Sequence, residues 1–247
     1  MGDMMNRTWM GAALALLVGA GCSSSDDACD PIAQTGCDEN LVCEEVVDGG
    51  TACFAPVVLR GNVFDQADES GIEGATVVAL DANRAPASTV AVTDASGDYE
   101  IQVARQRDTD GNPQGGDVTL RADAAGYHTF PGGIRQALPI DLSSPAEEDG
   151  LLVVDTPTTD VGLIGLPSGA GTNQIFGNVE VPSDSTGVLV VAETTGGTPD
   201  GFTAIADRDG VYRIFNLPDG DFSVLGYAQG VNYGPQAASV RGGEEVQ

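Results

Sequence analysis

The chain has 247 residues, with 37 Asp and Glu against ten Arg and no Lys, and a formal net charge of −27. So acidic a surface repels phosphate backbones and anionic lipid head groups, which excludes nucleic-acid partners and electrostatic attachment to a membrane. The single histidine, His128, narrows the available acid–base chemistry further.

In chain order, Arg7 precedes an uncharged apolar run from Trp9 to Ala20, which ends at Gly21-Cys22 and passes into Ser23-Ser24-Ser25-Asp26-Asp27. A membrane-spanning helix needs about 20 apolar residues, so this shorter run reads as the core of a cleaved leader. The stretch Leu16-Leu17-Val18-Gly19-Ala20-Gly21-Cys22 resembles the bacterial lipobox. That resemblance implies that residues 1–21 are a lipoprotein signal peptide and that Cys22 carries the lipid, palmitate included. Residues 22–28 then form a tether, and Ser23 directly after the cysteine implies sorting to the outer membrane. Cleavage removes one acid, Asp3, and one base, Arg7, so the net charge does not change, and membrane contact is expected through the lipid alone.

Residues 29–56 hold the other four cysteines, Cys29, Cys37, Cys43 and Cys53. An even, closely spaced set in an exported chain implies two disulfides, in any of three connectivities. A zinc site is disfavoured, because the spacing C-x7-C-x5-C-x9-C contains no C-x2-C knuckle and no histidine lies nearby. So short a segment cannot bury an adequate core, so the disulfides are expected to staple it.

The remainder repeats itself. Leu59-Arg60-Gly61-Asn62-Val63-Phe64, Gly74-Ala75-Thr76-Val77-Val78-Ala79 and Thr93-Asp94-Ala95-Ser96-Gly97-Asp98-Tyr99-Glu100-Ile101 recur as Ile175-Phe176-Gly177-Asn178-Val179, Gly187-Val188-Leu189-Val190-Val191-Ala192 and Ala206-Asp207-Arg208-Asp209-Gly210-Val211-Tyr212-Arg213-Ile214. A period this long marks a whole domain rather than a solenoid unit. The copies are assigned to residues 57–166 and 174–247, joined by a flexible linker at 167–173 around Pro167-Ser168-Gly169-Ala170-Gly171.

Apolar residues alternate within each copy, as in Tyr99, Ile101, Val103 and in Val118, Leu120, Ala122, which is strand periodicity. Glycine and proline interrupt every window long enough for a helix. Asp94-Ala95-Ser96-Gly97 and Asp207-Arg208-Asp209-Gly210 have the turn chemistry of hairpins, with Asp bonding its own backbone and Gly at positive φ. Tyr99 and Tyr212 are expected to point into the cores, and residues 151–154 and 161–164 to add edge strands to the first copy. No counterpart of residues 138–142, the closing strand of the first copy, is evident in the second, which is therefore expected to be truncated.

The patterns G-x-V, G-x-x-G-A-x-V-x-A, T-D-x-x-G-x-Y-x-I and A-x-G-Y resemble the carboxypeptidase regulatory-like family, over about residues 57–142 and more loosely 174–240. The resemblance implies an all-β chain of tandem transthyretin-like (prealbumin-like) β-sandwich domains, a carbohydrate-binding-like fold. It implies no peptidase activity, since the H-x-x-E zinc pair of true carboxypeptidases is absent: Pro131 stands three residues after His128.

No other constellation nominates chemistry. A relay would have to be built on His128, and no G-x-S-x-G elbow exists to hold a nucleophile. Asp108-Thr109-Asp110-Gly111-Asn112 resembles the opening of a calcium loop, but Pro113 and Thr119 stand where an EF-hand needs Gly and Glu. Asp108, Asp110 and Asn112 are thus candidates only for a looser structural calcium, and no other cofactor is expected. The chain is expected to be no enzyme but an envelope lipoprotein that displays sandwich modules as spacers, or as binding surfaces for a protein or glycan. The alternative is an accessory domain of an envelope enzyme whose catalytic part lies elsewhere.

Overall fold

The computed structural model describes residues 29–183, 185–195, 201–228 and 230–247. The leader, Cys22 and the tether lie outside the described residues. Those residues form an all-β structure in three parts: a disulfide knob and two β-sandwiches. Among them no helix is long and apolar enough to cross a membrane.

The knob is a hairpin of β1 (Val42–Glu45) and β2 (Thr51–Phe54), with Cys43 opposite Cys53. Of the three possible pairings the fold adopts Cys29–Cys43 and Cys37–Cys53, with Cα separations of 5.7 and 5.6 Å. The two bridges pin the segment before the hairpin onto each of its strands, supplying the cohesion that so short a piece lacks.

The first sandwich runs through β3 (Val57–Asp65), β4 (Thr76–Leu80), β5 (Ala91–Val92), β6 (Asp98–Val103), β7 (Gln106–Arg107), β8 (Pro113–Gln114), β9 (Thr119–Asp123), β10 (Ala146–Glu148), β11 (Leu151–Asp155) and β12 (Val161–Leu163). One layer is β10-β11-β3-β6, and the other is β5-β4-β9. Residues of β6 alternate exposed and buried, so Tyr99, Ile101 and Val103 face Val77, Ala79, Val118, Leu120 and Ala122 across the core. The stretches expected to be edge strands are β11 and β12, which lie in succession along one flank of β3, both parallel to it. The other flank of β3 holds β6.

The second sandwich comprises β13 (Asn173–Asn178), β14 (Val188–Thr194), β15 (Gly201–Ala206), β16 (Val211–Leu217), β17 (Gly220–Ala228), β18 (Val231–Asn232), β19 (Gln236–Val240) and β20 (Glu245–Val246). Its layers are β16-β13-β20 and β15-β14-β17, with β18 and β19 also paired to β17. The copies share register: Gly61 lies opposite Tyr99, and Gly177 opposite Tyr212.

Three expectations need correction. The two Asp-to-Gly turns do have the foreseen local chemistry, Asp94 accepting from Ser96 and Asp98 and Gly97 at φ 83°. Yet they do not join paired strands. β5 and β6, like β15 and β16, belong to opposite layers, so each turn carries the chain across the sandwich. Second, the later copy has a closing strand, β19, whose pairing of Ala238 with Phe222 matches the bridge of Ile140 with Val118. It was hidden because Gln236-Ala237-Ala238-Ser239 carries little apolar signal. Third, the linker is not free along its whole length: Pro167, Ser168 and Gly169 are exposed, but a Cβ on Gly171 would come within 2.2 Å of the Leu217 carbonyl carbon.

The knob docks on the first sandwich through a buried ion pair. Glu44 and Arg107 are each 1% exposed, with Arg107 Nε donating to the Glu44 carboxylate. The rest of the guanidinium donates to Ala55 O at 2.7 Å and Gly111 O at 3.3 Å and lies over the Phe54 ring. Glu44 also accepts the Arg105 N–H at 2.7 Å. A buried charge whose partner is removed destabilises strongly, whereas replacing both partners by apolar residues need not. Glu44→Ala is therefore expected to lower unfolding free energy by about 3–5 kcal/mol in urea titrations. The double change Glu44→Leu, Arg107→Met should recover most of that loss, and a double variant as unstable as the single one would show that the pair is not the source of the docking energy.

Candidate interaction surface

His128 is exposed, beyond the Ala125-Gly126 turn, and its backbone N–H donates to Ile164 O. Among the described residues no nucleophilic side chain is hydrogen-bonded to it. Asp108 accepts from the Asp110 and Asn112 N–H groups at 2.9 and 2.8 Å through Oδ1, and from the Asn112 and Gln114 amides at 3.0 and 3.3 Å through Oδ2. These bonds, the Asn112 amide's foremost, hold the Asp108 carboxyl below the ordinary carboxylate range. Both of its oxygens thus organise the β7–β8 loop, and Asn112 presents its nitrogen rather than its oxygen to Asp108. The sulfurs of Cys29, Cys37 and Cys53 lie within 4.8 Å of one another because the two disulfides adjoin, so none is available as a thiolate.

What the fold does concentrate is a set of polar braces between its three parts. Asp123, on β9, accepts from Arg121 at 2.7 Å and from Thr129 at 2.6 Å, and so aims the Arg121 guanidinium at Thr203 of β15, whose carbonyl and hydroxyl accept at 2.8 and 3.0 Å. Asn216, on β16, holds the Ala124–Tyr127 turn with its whole amide. Its nitrogen donates to Ala124 O and Tyr127 O at 2.9 Å each, and its oxygen accepts the Gly126 N–H at 2.7 Å. It sits at φ 65°, a conformation asparagine tolerates better than most residues.

Asp207 serves twice: one oxygen closes its own turn at Asp209, and the other accepts the Val90 N–H of the first sandwich at 2.6 Å. The neighbouring Arg208 reaches the knob, donating to Pro31 O and Ile32 O at 2.8 and 3.0 Å. Where the three parts meet they leave a cavity of about 130 Å³, bordered by Pro56, Ala87, Val103, Glu44 and Asp207. It is below the size of typical ligand pockets. None of these braces was foreseen from the sequence. The only signals were an asparagine before Leu217 at a strand end and an arginine inside an Asp-to-Gly turn, and neither says what it reaches.

The two sandwiches differ along one flank. In the first, the Tyr99 hydroxyl donates to Thr159 O at 2.5 Å, and Asp160 accepts the Asn62 N–H at 2.9 Å. Burial, with Asp160 and Asp155 nearby, pushes the Tyr99 hydroxyl well above its ordinary value. Both contacts come from the segment linking β11 to β12. In the second sandwich β20 pairs with β13 only at Gln174 and Ile175. Among the described residues nothing continues along that flank past Phe176. Asn178 is exposed, and burial alone raises the half-buried Tyr212 hydroxyl.

No family model matches the chain, and no curated protein matches it. Among solved structures it is similar to the Bacillus anthracis TIE protein (15% identity, TM-score 0.31, over 77% of this chain and 32% of that one). It is similar also to a streptococcal ancillary pilin (15%, 0.27, over 75% and 59%) and to the major pilin subunit of Bacillus cereus (11%, 0.30, over 77% and 98%). The chain thus spans about a third of the first of these proteins and 59% of the second. Such likenesses are of all-β architecture only. The class is that of a multi-module β-sandwich protein with a disulfide-stapled N-terminal part.

If the braces hold the sandwiches together, removing Asn216 and Arg121 by alanine should loosen the junction without melting either core. Small-angle scattering is expected to show a larger radius of gyration for the double variant, with faster proteolysis near residues 167–171. An unchanged scattering curve would mean that apolar contact alone sets the arrangement.

Proposed function

We propose that this chain is a non-catalytic envelope lipoprotein that holds its two sandwiches as one rigid body for recognition by a protein or glycan at the cell surface. The observation that carries the reading is the bracing itself. Asp207, Arg208, Asn216, Arg121 and the Glu44–Arg107 pair tie knob and sandwiches together, and these polar groups serve the junction rather than converging on a reaction site. A spacer or display module needs fixed relative geometry, and polar braces between side chains and backbone provide it.

The two disulfides agree with a role outside the cytoplasm. Attachment would come from acylation of Cys22 after removal of residues 1–21, in the outer membrane. The carboxypeptidase regulatory-like resemblance implies a carbohydrate-binding-like fold, which makes a glycan one of the partners to test. Structural calcium at Asp108, Asp110 and Asn112 is a further element of the proposal, one that would require the loop bonds of Asp108 to rearrange.

Intact-mass measurement of the membrane-extracted protein tests the anchor. The expected mass is that of the chain from Cys22 onward with a diacylglyceryl and an acyl group and four fewer hydrogen atoms for the two disulfides; a mass retaining the leader would remove the lipoprotein reading. For display, a glycan array and a surface-protein pull-down with the Cys22→Ser form should yield a saturable partner in at least one class. Turnover of an envelope substrate by the purified chain would overturn the non-catalytic reading.

A further inference from the structure

We infer that the groove formed by β3, β5 and β6 on the surface of the first sandwich is a docking site for a folded β-module of a partner protein, one that presents an edge strand flanked by Lys or Arg. The inference deepens the display reading, on which it rests, by naming the surface and the kind of partner. The second sandwich supplies the precedent, because its equivalent groove already holds a module.

The same positions define the groove in each copy. Phe176, Ala204, Ile205, Asp207, Val211 and Arg213 of the second sandwich stand where the first has Arg60, Ala91, Val92, Asp94, Asp98 and Glu100. The strand pairings agree: Phe176 lies opposite Arg213 as Arg60 lies opposite Glu100, and Asn178 opposite Val211 as Asn62 opposite Asp98. In the second copy the first sandwich is seated here. Its Thr76, Val78, Val90 and Val92 form the facing wall and leave a crevice of about 310 Å³. Hydrogen bonds fix the seat. Asp207 keeps one oxygen for its own turn and accepts the Val90 N–H with the other at 2.6 Å, while Arg121 donates to Thr203 O at 2.8 Å.

The first copy repeats the receiving half of this arrangement. One oxygen of Asp94 closes its turn, accepting the Ser96 and Asp98 N–H groups at 2.7 and 3.0 Å, and among the described residues none donates to the other. Beside it Val92 is 65% exposed, at the border of an open groove of about 620 Å³. The knob, which precedes this sandwich in the chain, docks elsewhere: its Glu44 meets Arg107, and its Pro31 and Ile32 carbonyls meet Arg208.

Charge selects the occupant. The second groove has Val211 and Arg213 where the first has Asp98 and Glu100, and Asp155 and Asp160 add two carboxylates to the border of the first. Arg60, the arginine in that lining, is held by Glu100 and Glu148 at 2.7 and 2.9 Å. The second groove therefore accepts an acidic sandwich, whereas the first repels one and attracts a basic one. A second copy of this chain is disfavoured by that repulsion. It is disfavoured also because Thr203, the counterpart of Val90, is engaged by Arg121 within its own junction. The fitting partner offers a free N–H on an edge strand to Asp94, an aliphatic side chain to Val92, and Lys or Arg on either side to the surrounding carboxylates.

The test uses a fluorescein-labelled, backbone-cyclised β-hairpin whose exposed strand reads Lys-Val-Lys-Val-Lys, titrated with the full chain carrying Cys22→Ser. Saturable binding by fluorescence anisotropy, weakened by added salt, is expected. Asp94→Asn keeps an oxygen to close the turn and removes the outward acceptor, so it should weaken binding about tenfold, the loss of one hydrogen bond to a charged group. Asp98→Lys with Glu100→Lys should abolish binding. Asp38→Lys with Glu39→Lys, an equal change of charge on the knob, should leave it unaltered, and a hairpin with Glu in place of Lys should not bind. Thermal melts of the protein variants separate lost binding from lost folding. No binding up to millimolar hairpin, or binding that falls equally with both charge-reversed pairs, would overturn the proposal while leaving the display reading intact. A concentration-dependent dimer in light scattering that Asp94→Asn dissolves would also overturn it, by assigning the groove to a second copy.

Discussion

The structure depends on one repeated constraint: in each sandwich a glycine of the first strand lies directly opposite a tyrosine of its antiparallel partner. A Cβ on either glycine would stand 2.8 Å from that tyrosine's hydroxyl, so Gly61 and Gly177 can be nothing larger without displacing it. Register follows. A slip of one residue would turn Ile101 and Val103, or Ile214, to solvent and put Glu100 or Arg213 inside. With the central pair fixed, β4 and β9, or β14 and β17, can close the opposite layer at only one alignment.

A second constraint acts between modules. A chain carrying a net charge of −27 repels itself, and large apolar patches between modules would be exposed in any open arrangement. The junction uses a few arginines and amides aimed at backbone carbonyls instead. Arg121, Arg208 and Asn216 each reach at least one carbonyl across the boundary. Such bonds need particular geometry at both ends, so they specify a relative orientation that apolar contact alone would leave adjustable. Of the ten arginines, those that matter most to the fold are therefore not on the open surface. Arg107 is wholly enclosed and Arg121 is 12% exposed.

Fold class, repeat and core faces were legible because they are periodic. Alternation in β6, the Asp-to-Gly turns and the glycine–tyrosine spacing are local patterns that survive without knowledge of partners. What was not legible depends on which pieces of chain meet. The turn at Asp94 reads the same whether it joins two strands of one sheet or crosses between layers; only the partner strands, β3 and β4, decide that. β19 was missed because half its residues face solvent or are small, so its membership of the sheet is written in its pairing with β17 rather than in its own composition. Asp207 announced a turn, and its second oxygen's bond to Val90 lies outside any local pattern.

The contrast between the two sandwiches shows how a repeat can carry difference as well as stability. In the first copy a tyrosine hydroxyl deep in the protein is satisfied by a carbonyl from the covering segment, and the main-chain edge is closed. In the second the same hydroxyl is half-buried, and the edge beyond Phe176 presents Asn178 and Glu180 to solvent. A bare edge of that kind invites association with any strand, and natural sheets restrain it by charge, by shortness or by cover. Here the open portion is short and bears Glu180, whose carbonyl already accepts the Tyr233 hydroxyl at 2.5 Å. Those features discourage indiscriminate pairing: where the first copy closes its edge with a covering segment, the second, among the described residues, meets the same hazard with a short open stretch and a charge.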